Sequence, residues 1–378
     1  MKEVRILHCA DLHIGAHERF LGTAAKKRRV ETLLTFERIL QTARENQVDL
    51  LLIAGDLFDS NTVENEWVDR IFEGFASIPE IQIVFAAGNH DPLDAQSPFL
   101  NRELPESVHL LGKTDTLLSF ENLHTRVWGR SFAEVYLSGQ ERFSLPVEND
   151  DTINIMVQHG ELLGGTGGNY NTITPEFIRT SGMDYIALGH IHKRSEPEKL
   201  GGTHYAYCGC PEGQGFDETG EKGVYLGIVR KGEVDLTFIS LCKRRHERVD
   251  IDLSCCESAS AITDFILATL HNTYGEDYAE NLYRITLLGA LPEEWNFSTA
   301  EISARLNEKL YFAKVLSRTE VAADLERLAT EPSLKGIFTR KMLAAISSAD
   351  EGEKPQLRAA LQLGLRAFRG EIDDFDFE

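Results

Sequence analysis

The sequence lacks any apolar run that approaches the roughly 20 residues of a membrane-spanning helix. Its first residues also lack the apolar core of a signal peptide, and they lead directly into a predicted strand. The six cysteines include no CxxC pair, and such a set is a poor disulfide framework and a poor zinc site. From these absences we expect a soluble cytoplasmic protein with reduced thiols.

Basic residues are scarce relative to acidic ones. The chain has 39 Lys and Arg residues against 60 Asp and Glu residues, which gives a formal charge of −21. That balance argues against a protein coated in basic surface for nucleic acid, although it leaves room for a locally basic groove. Bound divalent cations would also change the electric field at the place where they bind.

The length and the order of the predicted elements indicate a multidomain α/β protein. A chain of 378 residues, 42% hydrophobic and 26% charged, is globular and too long for one ordinary core. Strands and helices alternate at its start, which predicts a sheet with parallel strands. The predicted strands are 4–10, 48–54 and 81–87, and the predicted helices are 26–45, with an apolar stripe of Val30, Leu33, Leu34, Ile39 and Leu40, and 63–76.

The middle of the chain is richer in predicted strands, at 109–111, 126–128, 153–157, 184–188, 205–208, 223–229 and 234–240. The composition shifts near 241–250, where we predict a domain boundary. Beyond it, strands at 248–253, 282–288 and 314–318 alternate with helices at 258–274 and 299–310, as in a small α+β domain. Two amphipathic helices follow residue 332, before an acidic tail at 371–378. We therefore expect domains at 1–242 and 248–330 and a helical region at 331–378.

Side chains of the kind that bind metal ions follow five of the predicted strands. Active-site residues of α/β proteins collect at the carboxyl ends of parallel strands, because the connecting loops converge there. Residues two apart share a face, so Asp11 and His13 can point to one place, as can His190 and His192. The candidates are Asp11, His13, Asp56, Asn89, His90, His159, His190 and His192.

The mixture of imidazole, carboxylate and amide groups predicts a site for transition-metal ions. It suits Mn²⁺, which we expect, or Fe²⁺ or Zn²⁺, better than Ca²⁺, which prefers all-oxygen ligands. A mononuclear catalytic zinc site usually uses three protein ligands, so the larger set indicates two ions that share a bridging carboxylate. Two metals roughly 3.5–4 Å apart are a standard device for hydrolysing phosphate esters.

The order of these motifs resembles that of the calcineurin-like metallophosphoesterases. The family pattern is D-x-H, G-D, G-N-H-D, a lone His and G-H-x-H. This chain carries Asp11-Leu12-His13, Gly55-Asp56, Gly88-Asn89-His90-Asp91, His159 and Gly189-His190-Ile191-His192 in that order. Within the family it looks most similar to the DNA-repair exonuclease branch of SbcD and YhaO, on the basis of residues 7–13, 208–213 and 218–223.

The resemblance implies a fold and a role for each candidate residue. The implied fold is an α/β metallophosphoesterase sheet sandwich flanked by helices, with a small α+β cap domain and C-terminal helices. One ion would be held by Asp11, His13, Asp56 and His192, and the other by Asp56, Asn89, His159 and His190. His90 would stabilise the scissile phosphate and protonate the leaving oxygen, with Asp91 orienting it.

The resemblance also implies an activity and a substrate. We expect a two-metal-dependent exonuclease or endonuclease that acts on DNA and is the nuclease subunit of a double-strand-break repair complex. The cap domain would shape access for DNA, and the basic run Lys243, Arg244 and Arg245 could hold its phosphates. A solvated linker is the alternative interpretation of that run. Two other functions stay open: a small-molecule phosphodiesterase or phosphatase on the same scaffold, and a scaffold without catalysis.

Two kinds of partner follow from the same resemblance. The terminal helices would dock on the coiled coil of an SMC-like ATPase, although a helical hairpin that closes on the cap fits the same apolar pattern. The helix at 63–76, with Trp67 and Ile71, could contribute to a homodimer. Cys210 stands where relatives usually carry a small residue such as Ser, and it is either an incidental core thiol or redox-sensitive.

Overall fold

The computed structural model describes residues 2–136, 150–163, 168–292, 295 and 297–368. The predicted acidic tail at 371–378 therefore lies outside the described residues. The chain divides into two compact units, Met1–Arg245 and His246–Glu378. Within the described residues, none of the helices combines the length and the apolarity that crossing a bilayer would require.

The first unit contains two sheets and three α-helices in its described part. Its strands are β1 Glu3–Cys9, β2 Leu50–Ala54, β3 Gln82–Ala86, β4 Val108–Leu110, β5 Thr116–Phe120, β6 Thr125–Arg130, β7 Ile153–His159, β8 Tyr185–Gly189, β9 Glu198–Leu200, β10 Thr203–Tyr207, β11 Gly223–Arg230 and β12 Glu233–Ser240. Its α-helices are α1 Ala25–Glu45, α2 Asn65–Ala76 and α3 Pro175–Thr180, and 3₁₀ turns lie at Arg19–Ala24 and Glu121–Leu123.

The two sheets pack face to face. The first has the order β12-β11-β1-β2-β3-β4 and the second has the order β5-β6-β7-β8-β10-β9. Strands β1 to β4 are parallel, as are β6, β7, β8 and β10, whereas β11 and β12 join the first sheet as an antiparallel hairpin. Alternate residues of β1, such as Val4 and Ile6, face the core between the sheets, with Ile155 from the second sheet. The α/β sandwich flanked by helices is confirmed.

Helices α1 and α2 cover the outer face of the first sheet. A second core lies between these helices and the first sheet, and it contains Leu33 and Phe36 of α1 and Ile71 of α2. Ile71 is fully buried within this unit, whereas Trp67 is partly exposed and is the residue of the pair that could present surface to a second copy. The homodimer stays a prediction. Two residues of the predicted α1 stripe, Val30 and Leu34, are exposed.

A buried ionic cluster explains why the buried side of α1 differs from the predicted apolar stripe. Arg28 and Glu31 of this helix are buried, although both are charged. The Arg28 guanidinium donates to Glu212 Oε2 at 2.7 Å and to Glu18 Oε1 at 3.0 Å. The Glu31 carboxylate accepts from Arg244 Nη2 at 2.8 Å. Partners on distant segments thus make a polar side of the helix face inward, where the apolar pattern alone predicted an outward one.

The second unit is a smaller α+β structure that ends in helices. It contains β13 His246–Asp252, α4 Ile262–Tyr274, β14 Leu282–Leu288, β15 Ala290–Pro292, α5 Thr299–Asn307, β16 Phe312–Ser317, β17 Glu320–Ala322, α6 Leu325–Thr330, α7 Leu334–Ser348 and α8 Lys354–Ala367. Strands β13, β14 and β16 form a parallel sheet whose apolar residues pack with Ile266 of α4 and Leu306 of α5. Helix α8 places Leu361 and Leu365 against Leu328 of α6.

Candidate metal centre

The backbone at the ends of the parallel strands is bent so that the polar side chains converge. Asp11, His13, Asp56 and His190 all have positive φ, at 54°, 46°, 50° and 94°. Such a conformation is uncommon for a residue other than Gly, and it persists only where the surroundings hold it. Beyond β1, the His13 amide donates to the Asp56 carbonyl at 3.0 Å, which keeps the two loops in register.

Two glycines make room for this arrangement. A Cβ at Gly55, where φ is +94°, would lie 2.2 Å from Nδ1 of His159. A Cβ at Gly88 would lie 2.2 Å from Oδ1 of Asp56. Both distances are far too short for real contacts, so the glycines of the G-D and G-N-H-D motifs let neighbouring strand ends approach closely.

One group of ligand-type atoms comes from the ends of β1 and β8. The Nε2 atoms of His13 and His192 are 3.1 Å apart. Ligand atoms of Asp11, His13 and His192 lie within 4.8 Å of one another. The Asp56 carboxylate adjoins this group, with its Oδ2 atom 3.6 Å from His13 Nε2.

A second group shares Asp56 with the first. Asn89 Oδ1 lies 3.0 Å from His159 Nε2 and 3.1 Å from His190 Nδ1. Asp56 Oδ2 lies 3.3 Å from the same His159 Nε2 atom. The His159 Nδ1 atom contacts the carbonyl of Ala54 at 2.8 Å, so its Nε2 atom is the one directed at the centre. Asp56 therefore lies between the two groups.

The charge on each of these groups changes the pKa of its neighbours. Burial alone would raise the pKa of the Asp56 carboxyl, but the His159 and His13 imidazoles hold that pKa below its ordinary range. Burial would likewise lower the pKa of His159, yet Asp56 and Asp11 raise it to about 9. Burial and the nearby His159 lower the pKa of His190 to about 4. At neutral pH, Asp56 is therefore ionised and His190 has a free lone pair.

This donor set fits divalent cations. Two imidazole nitrogens 3.1 Å apart, as in His13 and His192, repel each other unless a proton or a metal ion lies between them. The buried carboxylates of Asp11 and Asp56 supply the negative charge that such ions require. Metal binding displaces protons from its ligands, and the raised pKa of His159 identifies a proton that a cation could replace.

His90 lies at the rim of the centre, where its side chain is exposed. Its Nδ1 atom contacts the Asp59 carbonyl at 3.0 Å, and its backbone amide donates to Asp56 Oδ1 at 2.8 Å. The Asp59 carboxylate also contacts His13 Nδ1 at 3.3 Å. Asp59 was not among the sequence-predicted residues, although it lies only three positions after Asp56.

Asp91, which the resemblance predicted to orient His90, makes its described contacts with backbone amides. Its carboxylate is buried and accepts hydrogen bonds from the backbone amides of Leu57, Phe58 and Gly88, at 2.8, 3.2 and 2.7 Å. Burial and the nearby Asp56 raise the pKa of Asp91 to about 7. The contacts of Asp91 connect the loops after β2 and β3, and the contacts of the His90 ring include the Asp59 carbonyl, so the orienting role of Asp91 stays a prediction.

The predicted basic run does not form a continuous exposed surface. Arg244 is buried, and its guanidinium is engaged by Glu31. This position argues against a contact with substrate phosphate. Arg245 is exposed and pairs with Glu221 at 2.6 Å, and the backbone amide of Lys243 donates to Glu212. In this run, Lys243 and Arg245 are the residues whose side chains could still reach a ligand.

A partly buried carboxylate and a buried thiol behind His192 complete the neighbourhood. Glu218 Oε1 contacts His192 Nδ1 at 2.5 Å. The Cys210 thiol is buried, and burial raises its pKa well above the ordinary value, so it is protonated at neutral pH. Sequence reasoning used the segment 218–223 only as a mark of resemblance. A carboxylate at its start, in a chain that carries a G-H-x-H motif, was the available signal for Glu218.

Comparison with known proteins gives consistent matches. The sequence model of a family described as calcineurin-like phosphoesterase matches residues 4–194. The uncharacterized metallophosphoesterase YhaO of Bacillus subtilis is 26% identical over 309 residues, which are 78% of this chain and 74% of that protein.

Two further relatives are named for DNA repair and for a nuclease. The DNA double-strand break repair protein Mre11 of Methanopyrus kandleri is 29% identical over 264 residues, 63% of this chain and 57% of that protein. The SbcD component of the nuclease SbcCD of Escherichia coli K12 is 26% identical over 280 residues, 61% of this chain and 66% of that protein. The alignments thus leave about a third or more of these two relatives unmatched.

Proposed function

The chain belongs to the calcineurin-like phosphoesterase family, and from this premise we propose that it is a two-metal-dependent nuclease that hydrolyses phosphodiester bonds of DNA. The observation that carries the proposal is the convergence of ligand-type side chains around Asp56, with the exposed His90 beside them. The names of the Mre11 and SbcD relatives support DNA as the substrate and double-strand-break repair as the setting.

Two ions would be held by the two groups of side chains that share Asp56. Asp11, His13, Asp56 and His192 would hold one ion, and Asp56, Asn89, His159 and His190 would hold the other. When bound, such a pair of ions supplies a nucleophilic water near neutral pH and offsets the charge that develops on the phosphate. Mn²⁺ is the ion that we propose, because it accepts both imidazole and carboxylate ligands.

His90 would donate the proton that the leaving oxygen needs. The contact of its Nδ1 atom with the Asp59 carbonyl fixes the ring and leaves Nε2 as the nitrogen available to substrate. The proton leaves Nε2 of the doubly protonated ring, which then becomes neutral and keeps its Nδ1 proton on the carbonyl. The exposure of the His90 side chain is consistent with a group that must reach a large external substrate.

The full chain with Mn²⁺ tests the proposal when it is offered end-labelled linear DNA and, separately, an aryl phosphodiester. We expect degradation of the DNA, and no degradation after chelation or in the Asp56→Asn variant. Asp49→Asn is a matched control, because Asp49 precedes the same strand, β2, and lies at the opposite end from the site. Ester cleavage without DNA cleavage would favour the small-molecule enzyme, and no cleavage of either would favour a scaffold.

The His90→Ala variant tests the role of the rim histidine. We expect it to bind two equivalents of Mn²⁺ as the wild type does and to lose roughly 10²- to 10⁴-fold in turnover, the range for removal of a general acid. Turnover and bound metal are measured on the same preparation. A parallel loss of bound metal would show that His90 supports the ions and would contradict the proposed role.

A further inference from the structure

A partly buried carboxylate lies behind one of the residues assigned to the metal centre. His192 directs its Nε2 atom toward His13 and Asp11, as described above. Its other ring nitrogen, Nδ1, contacts Oε1 of Glu218 at 2.5 Å. The Glu218 side chain is 14% exposed, so little water competes for this contact. One ring nitrogen thus points to the metal centre, and the other contacts a carboxylate.

The Glu218 carboxylate is itself held in place by groups other than His192. Its second oxygen, Oε2, accepts a hydrogen bond from the backbone amide of Gln214 at 2.8 Å. The Cys210 thiol donates to the same oxygen, with 3.5 Å between Sγ and Oε2. The Glu218 amide donates to the carbonyl of Gly215 at 3.1 Å, which closes a tight turn around the residue. These contacts leave Oε1 directed at the histidine.

The contact decides which nitrogen of His192 can bind a metal ion. A neutral imidazole has one N–H group and one lone pair, and a carboxylate can only accept a hydrogen bond. Glu218 therefore requires the proton of His192 to reside on Nδ1. The lone pair then resides on Nε2, the atom that faces Asp11 and His13. A carboxylate in this position also fixes the ring and makes it a more basic ligand.

We propose that Glu218 is a positioning residue that orients His192 as a metal ligand. This inference rests on the proposed metal centre, because Glu218 acts only through a residue of that centre. The contacts of Glu218 described above reach His192 but not the other group of Asn89, His159 and His190. Its removal should therefore weaken the ion at Asp11, His13 and His192 more than the other ion.

Calorimetric titration of the metal-free full-length chain with Mn²⁺ tests the inference without relying on activity. We expect two binding events in the wild type, and one of them to be roughly 10- to 100-fold weaker in Glu218→Gln and at least as weak in Glu218→Ala. Glu221→Gln is the matched control, because Glu221 lies three residues away and pairs with the exposed Arg245. Its two affinities should equal those of the wild type.

The outcomes separate this inference from the proposed function. Two unchanged affinities in both Glu218 variants would overturn the role of Glu218 and leave the metal centre intact. Failure of the wild type to bind Mn²⁺ would instead overturn the metal centre itself. Thermal unfolding of the metal-free variants shows whether a weaker affinity comes from a damaged fold. We expect the Glu218 variants to unfold at the same temperature as the Glu221→Gln variant.

A measurement on the wild type keeps the inference testable if the variants fail to fold. Histidine-labelled protein loaded with diamagnetic Zn²⁺ gives the protonation of each ring nitrogen by long-range ¹H–¹⁵N correlation. We expect His192 to carry its proton on Nδ1, with a signal shifted downfield by the short contact to Glu218. A proton on Nε2, or a bare Nδ1 atom, would overturn the proposed orientation.

Discussion

His8 is a histidine inside the core between the two sheets, where most of its neighbours are apolar. It is fully buried, and its Nδ1 atom lies 2.8 Å from the hydroxyl of Tyr185. Burial lowers its pKa from 6.5 to about 3, because the charged ring would lose its hydration. The folded protein therefore keeps this ring neutral at pH values where the unfolded chain already binds a proton.

The stability of the first unit should consequently depend on pH through His8. Its contribution is complete above pH 6.5 and is lost as the pH falls toward 3, since the unfolded state takes up the proton first. We expect His8→Asn, which keeps a polar partner for Tyr185, to flatten the dependence of the unfolding free energy between pH 6.5 and 4 by a few kcal/mol. Denaturant unfolding at a series of pH values measures the effect.

The control for this comparison is His17→Asn, because His17 is exposed on the same unit. Both variants share every other titrating group with the wild type, so those contributions cancel in the difference. If the His8→Asn and wild-type curves stay parallel from pH 7 to pH 4, the neutral buried state of His8 is refuted.

Among single residues, the sequence predicted those that lie in motifs. It missed those whose position at the site depends on a tertiary contact. Asp11, His13, Asp56 and Asn89 follow apolar strands, and the convergence of parallel strand ends is a general property of the fold. Asp59 and Glu218 have no such local signal. The position of Glu218 against His192 depends on a turn after β10 that no periodic pattern encodes.

Helix α1 shows how a distant partner changes an element. Its length followed from its period, but the inward position of Arg28 and Glu31 depends on Glu212 and Arg244, which are more than 180 residues away in sequence. Short elements were also missed, such as β9 at Glu198–Leu200, because two exposed residues and one partly buried residue are too few to show an alternating pattern. Strands that are buried on both sides, such as β2 and β8, were predicted well because they form continuous apolar runs.

The ionic cluster at α1 gives a prediction about the stability of this element. Glu31 is buried and pairs with both Arg28 and Arg244, so its neutralisation leaves two buried guanidinium groups with less compensating charge. We expect Glu31→Gln to lower the unfolding free energy by about 3–5 kcal/mol, the usual result of breaking a buried ion pair. Denaturant unfolding near neutral pH is the measurement.

The same helix provides the control for this change. Glu37 lies six residues later on α1 and pairs with Arg70 at the exposed surface. Glu37→Gln should cost less than about 1 kcal/mol, because water and salt screen an exposed pair. Equal losses in the two variants would show that the burial of Glu31 is not what makes its ion pairs important.

On the scale of the whole molecule, the charge of −21 opposes an independent affinity for DNA. A nuclease with this surface would rely on local cations, on bound metal ions or on a partner that supplies basic surface. The unmatched part of the Mre11 and SbcD relatives also means that their assemblies cannot be transferred by alignment alone. A partner that docks on the second unit would need a surface there that the core of the unit leaves uncovered.

Helix α7 has an exposed apolar side of this kind. Leu334 and Ile337 are three residues apart on one side of the helix, and they are 73% and 41% exposed. The inner side of the same helix packs Phe338 and Met342 against the cluster that contains Leu328. An apolar pair left outside a packed core, at helical spacing, is compatible with the docking of a partner helix, and the SMC-like ATPase stays the predicted partner.

The double variant Leu334→Glu and Ile337→Glu tests this docking surface while the inner side of α7 stays intact. We expect it to abolish co-purification with a co-expressed SMC-like ATPase and to leave the turnover of the isolated chain unchanged, because both residues lie in the second unit and the metal centre lies in the first. Leu117→Glu is the control, since Leu117 is a similarly exposed apolar residue of the first unit. Its complex should persist. Retention of the ATPase by the double variant would leave α7 as part of a self-contained helical hairpin, the alternative that the apolar pattern allowed from the start.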